Sequence, residues 1–170
     1  YAVQLSSSTT INGNGFIGSS SLIKTTGNSV IRAGMYSKGK ITLSNSNTVI
    51  GNMSAENSGT LSGNAIQTGS SAQITGNINA NGNITIGGGS VTGSITRVAG
   101  STYSGPVPTG GNTIGTPNLP GLPALPIPVV FPAVGTSNIT NTQTISPGSY
   151  QNMTLNGNKT ITFNGPGTYV

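Results

Sequence analysis

Residues 72–96 read AQITGNINANGNITIGGGSVTGSIT, and they form the most regular run in the chain. From position 72 to position 86 every even residue is Ala, Ile or Gly, and every odd residue is Gln, Asn or Thr. Alternation with a period of two is the pattern of a β-strand that buries one face. A single straight strand over this range would span roughly 50 Å, well beyond the usual strand length. The run therefore predicts several short strands that keep their apolar side chains inward.

Glycines inside this run mark the predicted corners. Gly76, Gly82 and the triplet 87–89 interrupt the alternation where a long strand would have to turn. Glycine reaches turn conformations that other residues adopt only at a cost. Short strands, glycine corners and an apolar face kept inward predict an all-β fold, a single-chain β-solenoid.

A loose repeat runs through the first hundred positions. Apolar residues that could begin successive coils recur at comparable but slightly irregular intervals; they are Ile11, Ile31, Ile50, Ile74 and Val91. A period of roughly 20 residues is typical of architectures whose units bury their apolar faces only by stacking. We therefore predict a right-handed parallel β-helix with roughly 17 to 24 residues per turn.

A proline-rich segment divides the chain. Eight of the ten prolines fall within residues 105–135, and proline cannot donate a hydrogen bond to a β-ladder. Solenoid coils are therefore predicted over 1–104, a Pro-rich extended segment over 105–135, and further coils or capping strands over 136–170.

The proline-rich segment is also unusually apolar. Its residues 117–134 form a candidate assembly strap, whose large apolar side chains are Leu119, Leu122, Leu125, Ile127, Val129, Val130 and Phe131. An extended, polyproline-like chain of this composition fits a protein groove better than solvent. The strap could pack on its own subunit or on a neighbouring subunit, and the sequence leaves both alternatives open.

Two Pro-Gly-x-Tyr motifs lie at 147–150 and 166–169, so that Pro147 corresponds to Pro166 and Tyr150 to Tyr169. Their offset falls within the predicted range of coil lengths. The C-terminal part is therefore expected to continue the same architecture, with strands at 153–155 and 160–163.

Threonines in this part could stack into the flat ladder that ice-binding solenoids display. Three of them are predicted to share one strand face and two to lie beside them in the next coil; the candidates are Thr140, Thr142, Thr144, Thr160 and Thr162. Because threonine is a common strand residue, an ordinary polar face is the simpler interpretation.

The composition excludes most catalytic chemistry. Charged residues make up 4% of the chain, and Glu56 is the single acid in a chain without His or Cys. Paired-carboxylate hydrolysis, nucleophilic triads and metal sites need residues that are missing here. We therefore expect no enzyme, no cofactor and no metal.

The formal net charge of +5 comes from scarce acids and not from clustered bases. Lys38 and Lys40 are the only close pair predicted on one strand face, so nucleic-acid binding is not expected. No apolar run reaches the length of about 18 residues that indicates a membrane span. A weakly charged surface rich in Asn, Ser, Thr and Gly is typical of secreted fibres and adhesins, so an extracellular or cell-surface location is expected.

The motif Thr-Gly-Asn-Ile-Asn-Ala-Asn-Gly-Asn-Ile-Thr-Ile at 75–86 resembles the repeat of bactofilin-like polymer-forming β-helices. The wider order of glycine-rich turns, a Pro-rich stretch and Pro-Gly-x-Tyr motifs is similar to that of secreted Gly/Asn-rich proteins associated with bacterial pilus assembly loci. Bactofilins are cytoplasmic and more highly charged, so the composition favours the secreted group. The resemblance implies a surface or filament role and carries over no functional residues.

The leading hypothesis is an extracellular structural protein that forms a homopolymer by head-to-tail packing of solenoids. Head-to-tail contacts that do not close into a ring produce filaments. The alternative is a solenoid binding module that recognises ice or a surface carbohydrate. An enzyme is the least favoured hypothesis.

Overall fold

The computed structural model describes residues 2–6, 8–58, 63–124 and 133–170. These residues form strands and contain no α-helix, which confirms the all-β prediction. The strands are β1 (Val3–Leu5), β2 (Thr10–Ser19), β3 (Leu22–Thr25), β4 (Val30–Ser37), β5 (Lys40–Leu43), β6 (Thr48–Ile50), β7 (Met53–Ala55), β8 (Ile66–Thr68), β9 (Ala72–Thr75), β10 (Ile78–Ala80), β11 (Ile84–Ile86), β12 (Gly89–Val91), β13 (Ile95–Arg97), β14 (Tyr103–Ser104), β15 (Asn112–Ile114), β16 (Gln143–Ile145) and β17 (Ile161–Phe163).

The chain divides into two compact units, unit 1 (Tyr1–Pro123) and unit 2 (Ala124–Val170). Within the described ranges, neither unit contains a helix with the length and apolar character needed to cross a membrane.

Unit 1 is built from parallel ladders. One six-stranded sheet, face A, stacks β1, β3, β5, β8, β11 and β14. In the second sheet, β4 pairs with β6 through its first half and with β7 through its second half. That sheet therefore contains two ladders, face B (the first halves of β2 and β4, then β6, β9 and β12) and face C (the second halves, then β7, β10, β13 and β15). Parallel strands stacked on three faces confirm the predicted β-solenoid.

The strand register measures the coil length directly. On face A, Ile41 aligns with Ile66, and Ile66 aligns with Ile84. On face C, Ile78 aligns with Ile95. The last two of these intervals fall within the predicted range, and the interval from Ile41 to Ile66 exceeds it by a single position. This longest coil carries its extra residues between β7 and β8, and the hand of the coil stays a prediction.

The buried column of face B corrects one of the residues that were predicted to begin a coil. Successive strands align Ile31 with Val49 and Val49 with Ile74. Ile50 was therefore the wrong residue: Val49 is fully buried, whereas Ile50 is 43% exposed. Because neighbouring residues of a strand point to opposite faces, a shift of one position moves a side chain from the core to the surface.

Residues 72–86, the strictly alternating part of the most regular run, supply three strands and part of the core, as predicted. The even-numbered apolar residues of this part are all at most 2% exposed: Ala72, Ile74, Ile78, Ala80, Ile84 and Ile86. They join the apolar columns of the other coils in one continuous core within unit 1. Each coil buries its side chains against the coils on either side, which is how repeat architectures obtain their stability.

The corner between faces B and C explains the glycine pattern. Gly76 has a positive φ of 146°, and a Cβ on it would overlap the carbonyl oxygen of Gly51 in the preceding coil. A Cβ on Gly93 would likewise overlap the carbonyl oxygen of Gly76. Successive corners approach so closely that only glycine fits. The corner predicted at Gly76 is confirmed.

Asparagine side chains hold the same corner together. The N–H of Asn77 donates to Oδ1 of Asn52 at 2.9 Å, and the N–H of Ser94 donates to Oδ1 of Asn77 at 2.9 Å. Each side-chain oxygen thus accepts a backbone N–H of the next coil at the turn between two strands. Because a buried or crowded backbone donor needs a partner, these amides stabilise the stack where the strands end.

Ladder pairing continues further along the chain than the sequence suggested. The coils were predicted to end at residue 104, but β15 pairs with β13, and Ile114 aligns with Arg97. Pro106 and Pro108 lie in the connection between β14 and β15. There they remove no hydrogen bond from a strand, so they do not end the solenoid.

Unit 2 repeats the parallel arrangement on a smaller scale. β16 and β17 pair in parallel, with Thr144 aligned with Thr162, and isolated parallel bridges join Ile139 to Met153 and Gly148 to Tyr169. β17 confirms the strand predicted at 160–163. The strand predicted at 153–155 was wrong beyond the single bridge at Met153.

Candidate functional site

The first part of the strap packs on the outside of face C. The Ser54 hydroxyl on β7 donates to the carbonyl of Asn118 at 3.2 Å, and the N–H of Asn118 donates to Oδ1 of Asn79 on β10 at 3.0 Å. Asn118 therefore bridges two neighbouring strands. Ser54 is only 3% exposed although it alternates with the inward-facing Met53 and Ala55. The strap thus covers a surface that a bare solenoid would leave in water.

Beyond Asn118 the strap runs back toward the first coil. A Cβ on Gly18 of β2 would lie 2.5 Å from Cδ2 of Leu122, so Leu122 packs directly over this glycine. Leu119 and Leu122 are both half-buried. Of the two alternatives left open by the sequence, this part of the strap takes the first and packs on its own chain.

The rest of the candidate strap, Leu125, Ile127, Val129, Val130 and Phe131, lies outside the described residues. Its role as an assembly surface stays a prediction.

A cleft of about 790 Å³ opens beside the strap, where faces B and C meet. It arises where the register between β2 and β4 shifts between Asn12 and Phe16. The bulged segment 12–16, the corner glycines Gly34 and Gly51, and Pro120 of the strap are among the residues that line it. Sequence reasoning missed this cleft; the available signal was Asn-Gly-Asn-Gly at 12–15, which breaks the alternation of apolar and polar residues.

Among the described residues that line the cleft, Arg32 is the one cation. Arg32 is exposed, and its Nη1 donates to Oδ1 of Asn12 at 3.3 Å. Glu56 does not line the cleft, and its Oε2 accepts a hydrogen bond from the Tyr36 hydroxyl at 3.0 Å. Burial, followed by the hydrogen bond and the negative charge of Glu56, raises the pKa of Tyr36 above its ordinary value. Tyr36 therefore stays a neutral hydrogen-bond donor to Glu56. Because Glu56 does not line the cleft, the charged side chain of the cleft is that of Arg32.

The N-terminal end of unit 1 is an apolar edge. Among the described residues, β1 pairs only with β3 and β2 pairs only with β4. Four side chains of this coil pack against the core but are only partly buried: Val3, Leu5, Ile11 and Ile17. They continue the buried columns of the solenoid, and among the described residues no other strand packs on their outer side.

The other end of unit 1 is more polar. The inward column of face C passes from Ile95 to Asn112, which is exposed, and Ile114 is 58% exposed. The two ends therefore differ in chemistry: an uncovered apolar layer at one end and a polar coil at the other.

The candidate threonine ladder is short. Thr144 and Thr162 stack as strand partners, as expected, and the N–H of Thr160 donates to the hydroxyl of Thr142 at 3.1 Å. Thr140 and Thr142 precede β16, however, so the prediction that they share a strand face with Thr144 was wrong. All five threonines are exposed.

A lysine contacts the chain just before β16, where these threonines stop sharing one strand. Nζ of Lys159 donates to the carbonyl of Thr140 at 2.7 Å and to Oδ1 of Asn141 at 3.1 Å. The chain bends at Asn141 and Thr142 before β16 begins. The ladder therefore spans two strands and ends at a cation.

The two Pro-Gly-x-Tyr motifs adopt the same local contact. The Tyr150 hydroxyl donates to the carbonyl of Ser146 at 2.6 Å, and the Tyr169 hydroxyl donates to the carbonyl of Gly165 at 3.1 Å. An isolated parallel bridge joins Gly148 to Tyr169. The residue that corresponds to Gly148 in the second motif is Gly167, so the bridge does not connect equivalent positions. The two motifs therefore do not stack residue on residue. Tyr169 instead packs edge to face on Phe163, with 4.8 Å between ring centroids.

The basic pair at the surface also differs from the prediction. Lys38 lies in the turn after β4, whereas Lys40 begins β5. The two lysines therefore do not share a strand face.

Comparisons with protein-family models, curated proteins and solved structures find no significant match to this chain. Its function is therefore inferred from its own residues.

Proposed function

We propose that this chain is an extracellular structural protein that assembles head to tail into a surface filament. The observation that carries the proposal is the apolar open edge of unit 1, where Val3, Leu5, Ile11 and Ile17 are only partly buried. Parallel sheets are almost always covered, and an unpaired edge is a template for another strand. One further layer of parallel strands would bury these side chains and pair the edge.

Strand β17 supplies a matching edge. Its sequence Ile161-Thr162-Phe163 repeats the apolar-polar-apolar pattern of Val3-Gln4-Leu5 in β1. Parallel pairing of β17 with β1 of a second copy aligns Ile161 with Val3 and Phe163 with Leu5. Phe163 is 54% exposed, so this pairing would bury it. A contact between two different surfaces of identical subunits propagates into a filament unless its rotation closes a ring.

Composition and resemblance support the extracellular part of the proposal. A chain with 4% charged residues and abundant Asn, Ser, Thr and Gly suits a secreted fibre. The resemblance to secreted proteins of pilus assembly loci points in the same direction. The proposal assigns the chain no catalytic step and no cofactor.

The ice-binding alternative has weaker support. Its candidate ladder is two strands wide, and the hydroxyl of Thr142 already accepts a backbone hydrogen bond. A flat array for ice would need more strands presenting free threonine hydroxyls. The filament is therefore the preferred function.

A pair of lysine substitutions in β1 tests the filament. Val3→Lys puts a charge into the apolar column that stacking would bury, whereas Gln4→Lys adds the same charge on the outward face of the same strand. We expect Val3→Lys to abolish filaments in negative-stain electron microscopy and Gln4→Lys to keep them. Circular dichroism of both variants checks that the fold is intact. Filaments of unchanged length in a folded Val3→Lys protein would contradict the stacking of this edge.

A deletion tests the strap. Removing 117–134 would also remove the contacts of Asn118 and Leu122 with their own unit, so deletion of 125–131 alone is the sharper experiment. If the apolar strap joins subunits, this deletion abolishes assembly and leaves the thermal stability of unit 1 unchanged. Intact filaments after the deletion would remove the strap from the assembly mechanism.

A further inference from the structure

We infer that the cleft between faces B and C binds a linear glycan that carries carboxylate groups. The cleft has a volume of about 790 Å³, within the range of roughly 300–1,000 Å³ that is typical of ligand sites. Its lining includes a cation, neutral amides, the aromatic side chains of Phe16 and Tyr36, and glycines. The cation, the amides and the aromatic surface suit the carboxylate, the hydroxyls and the ring of an acidic sugar.

Arg32 provides the carboxylate contact. One of its N–H groups is used on Asn12, which orients the guanidinium toward the bulge. The planar guanidinium has further donors, arranged to bind a carboxylate through two parallel hydrogen bonds. Glu56 is the only acid in the chain and is hydrogen-bonded to Tyr36, so no carboxylate within the cleft neutralises Arg32.

The asparagines of the cleft suit sugar hydroxyls. Asn12, Asn14 and Asn52 line it, and each amide offers both donors and an acceptor. Oδ1 of Asn52 already accepts the N–H of Asn77, which leaves the amino group of Asn52 as donor. A hydroxyl can donate to one amide and accept from another, so a polyhydroxylated ligand matches this lining.

Phe16 and the glycines shape the cleft for an extended ring-bearing chain. Phe16 is 48% exposed and offers an aromatic surface to the apolar side of a sugar ring. Apart from the adjoining residues of the chain, no described atom lies within 4 Å of a Cβ placed on Gly13 or Gly15, so the bulge leaves open space.

The ladder arrangement favours a glycan over a peptide. Peptides commonly bind solenoids and sheets by adding a strand to a free edge. β4 crosses the cleft, and it is paired with β2 on one side and with β6 and β7 on the other. Among the described residues, the outer side of β2 is unpaired, but the bulge between Asn12 and Phe16 interrupts this edge at the cleft. Side chains are therefore what the cleft offers a ligand. The inference does not depend on filament assembly, because every residue used lies in unit 1 of one chain.

Isothermal titration calorimetry on the full chain tests the inference with three hexameric probes: oligomannuronate, neutral maltohexaose and hexaglutamate. We expect oligomannuronate to bind and the other two to bind at least about tenfold more weakly, because only the uronate supplies both carboxylates and hydroxyls. No detectable binding of oligomannuronate, or equal binding of maltohexaose or hexaglutamate, would overturn the proposal.

Matched charge variants separate the cleft from general attraction. Arg32→Gln should weaken uronate binding by about tenfold or more, and Arg32→Lys should weaken it less, since it keeps the charge but loses the planar fork. Lys24→Gln removes one positive charge outside the cleft and should change affinity by less than about twofold. Equal losses in Arg32→Gln and Lys24→Gln would show general electrostatic attraction and overturn the assignment. Melting temperatures of the variants verify that each is folded, and Arg32 is exposed, so its replacement should not disrupt the core.

Discussion

Units 1 and 2 use the same parallel pairing but bury very different amounts of apolar surface. In unit 1 the apolar columns form one continuous core from Ile23 to Ile95. Among the described residues of unit 2, only Ile139 and Ile145 are buried hydrophobic residues, while Met153 and Phe163 remain about half exposed, at 49% and 54%. Alternation alone therefore specifies strands, but a core forms only when enough coils stack.

The two units also differ in how many of their strands have neighbouring strands on both sides. Within the described residues, an inner coil of unit 1 has a neighbouring coil on both sides, the first coil has one on a single side, and β16 and β17 form a two-stranded sheet. Small parallel sheets are marginal by themselves because they need cover on both faces. If copies stack as proposed, the first coil and unit 2 are the parts of the chain that gain most from the contact.

Separating the two units should give the largest effect. We expect residues 1–123 to fold alone, because their core lies within the unit, and residues 124–170 to lose most of their structure under the same conditions. Circular dichroism and the dispersion of amide proton NMR signals of the two fragments provide the measurement. A fully folded monomer of 124–170 would show that two parallel strands suffice, and it would remove the reason for a partner.

Truncation of an inner residue should cost far more than truncation in unit 2. Ile78→Ala leaves a cavity between stacked coils and should lower the free energy of unfolding by about 2–5 kcal/mol. Ile161→Ala, at a half-buried position of β17, should lower it by less than about 1 kcal/mol in the monomer. Urea denaturation of the dilute protein compares the two variants. Similar losses at both positions would mean that unit 2 has a core as well packed as that of unit 1.

A side chain at the glycine corner should lower the stability of the fold. Gly76→Ala places a Cβ against the carbonyl oxygen of Gly51 at a positive φ, so we expect a loss of about 1–3 kcal/mol in the free energy of unfolding. Gly13→Ala, in the open bulge of the first coil, should change it by less than about 1 kcal/mol. Equal effects of the two substitutions would contradict the close approach of successive corners.

The smallest effect concerns pH. Because the folded protein holds the pKa of Tyr36 above the ordinary value of about 10, the neutral tyrosine is favoured by folding. Its contribution is therefore fully present below about pH 10 and is lost as the pH rises through the folded pKa. Ultraviolet titration of the wild type and of Tyr36→Phe isolates this group. Glu56→Gln should shift the titration toward lower pH, and an unchanged titration would mean that Glu56 has no influence on Tyr36.

The sequence predicted the fold well where burial follows a strict alternation. Residues 72–86 indicated the correct inward set because no two apolar residues there are adjacent. Val49 and Ile50 are both apolar, so the pattern alone could not tell which of them faces the core. The register with Ile31 decides between them, and register is a property of the stacked coils.

The candidate sites were harder to predict, since they depend on contacts between distant positions. Asn118 meets Ser54 and Asn79 because the strap turns back along face C, and no local pattern encodes that direction. The even spacing of Thr140 and Thr144 predicted a shared strand face. In the structure, Lys159 contacts the chain at Thr140, which lies before the strand that contains Thr144. The cleft that Arg32 lines lies where two ladders meet beside a bulge. The two ladders come together only in the folded coil, so the sequence alone did not indicate the cleft.

Fibre diffraction from aligned filaments of the full chain tests the central claim most directly. If parallel ladders continue across subunit boundaries, the strands lie perpendicular to the fibre axis, and the pattern shows a meridional reflection at about 4.8 Å. A protein that remains monomeric at every concentration, or filaments with that reflection on the equator, would contradict head-to-tail stacking of the coils.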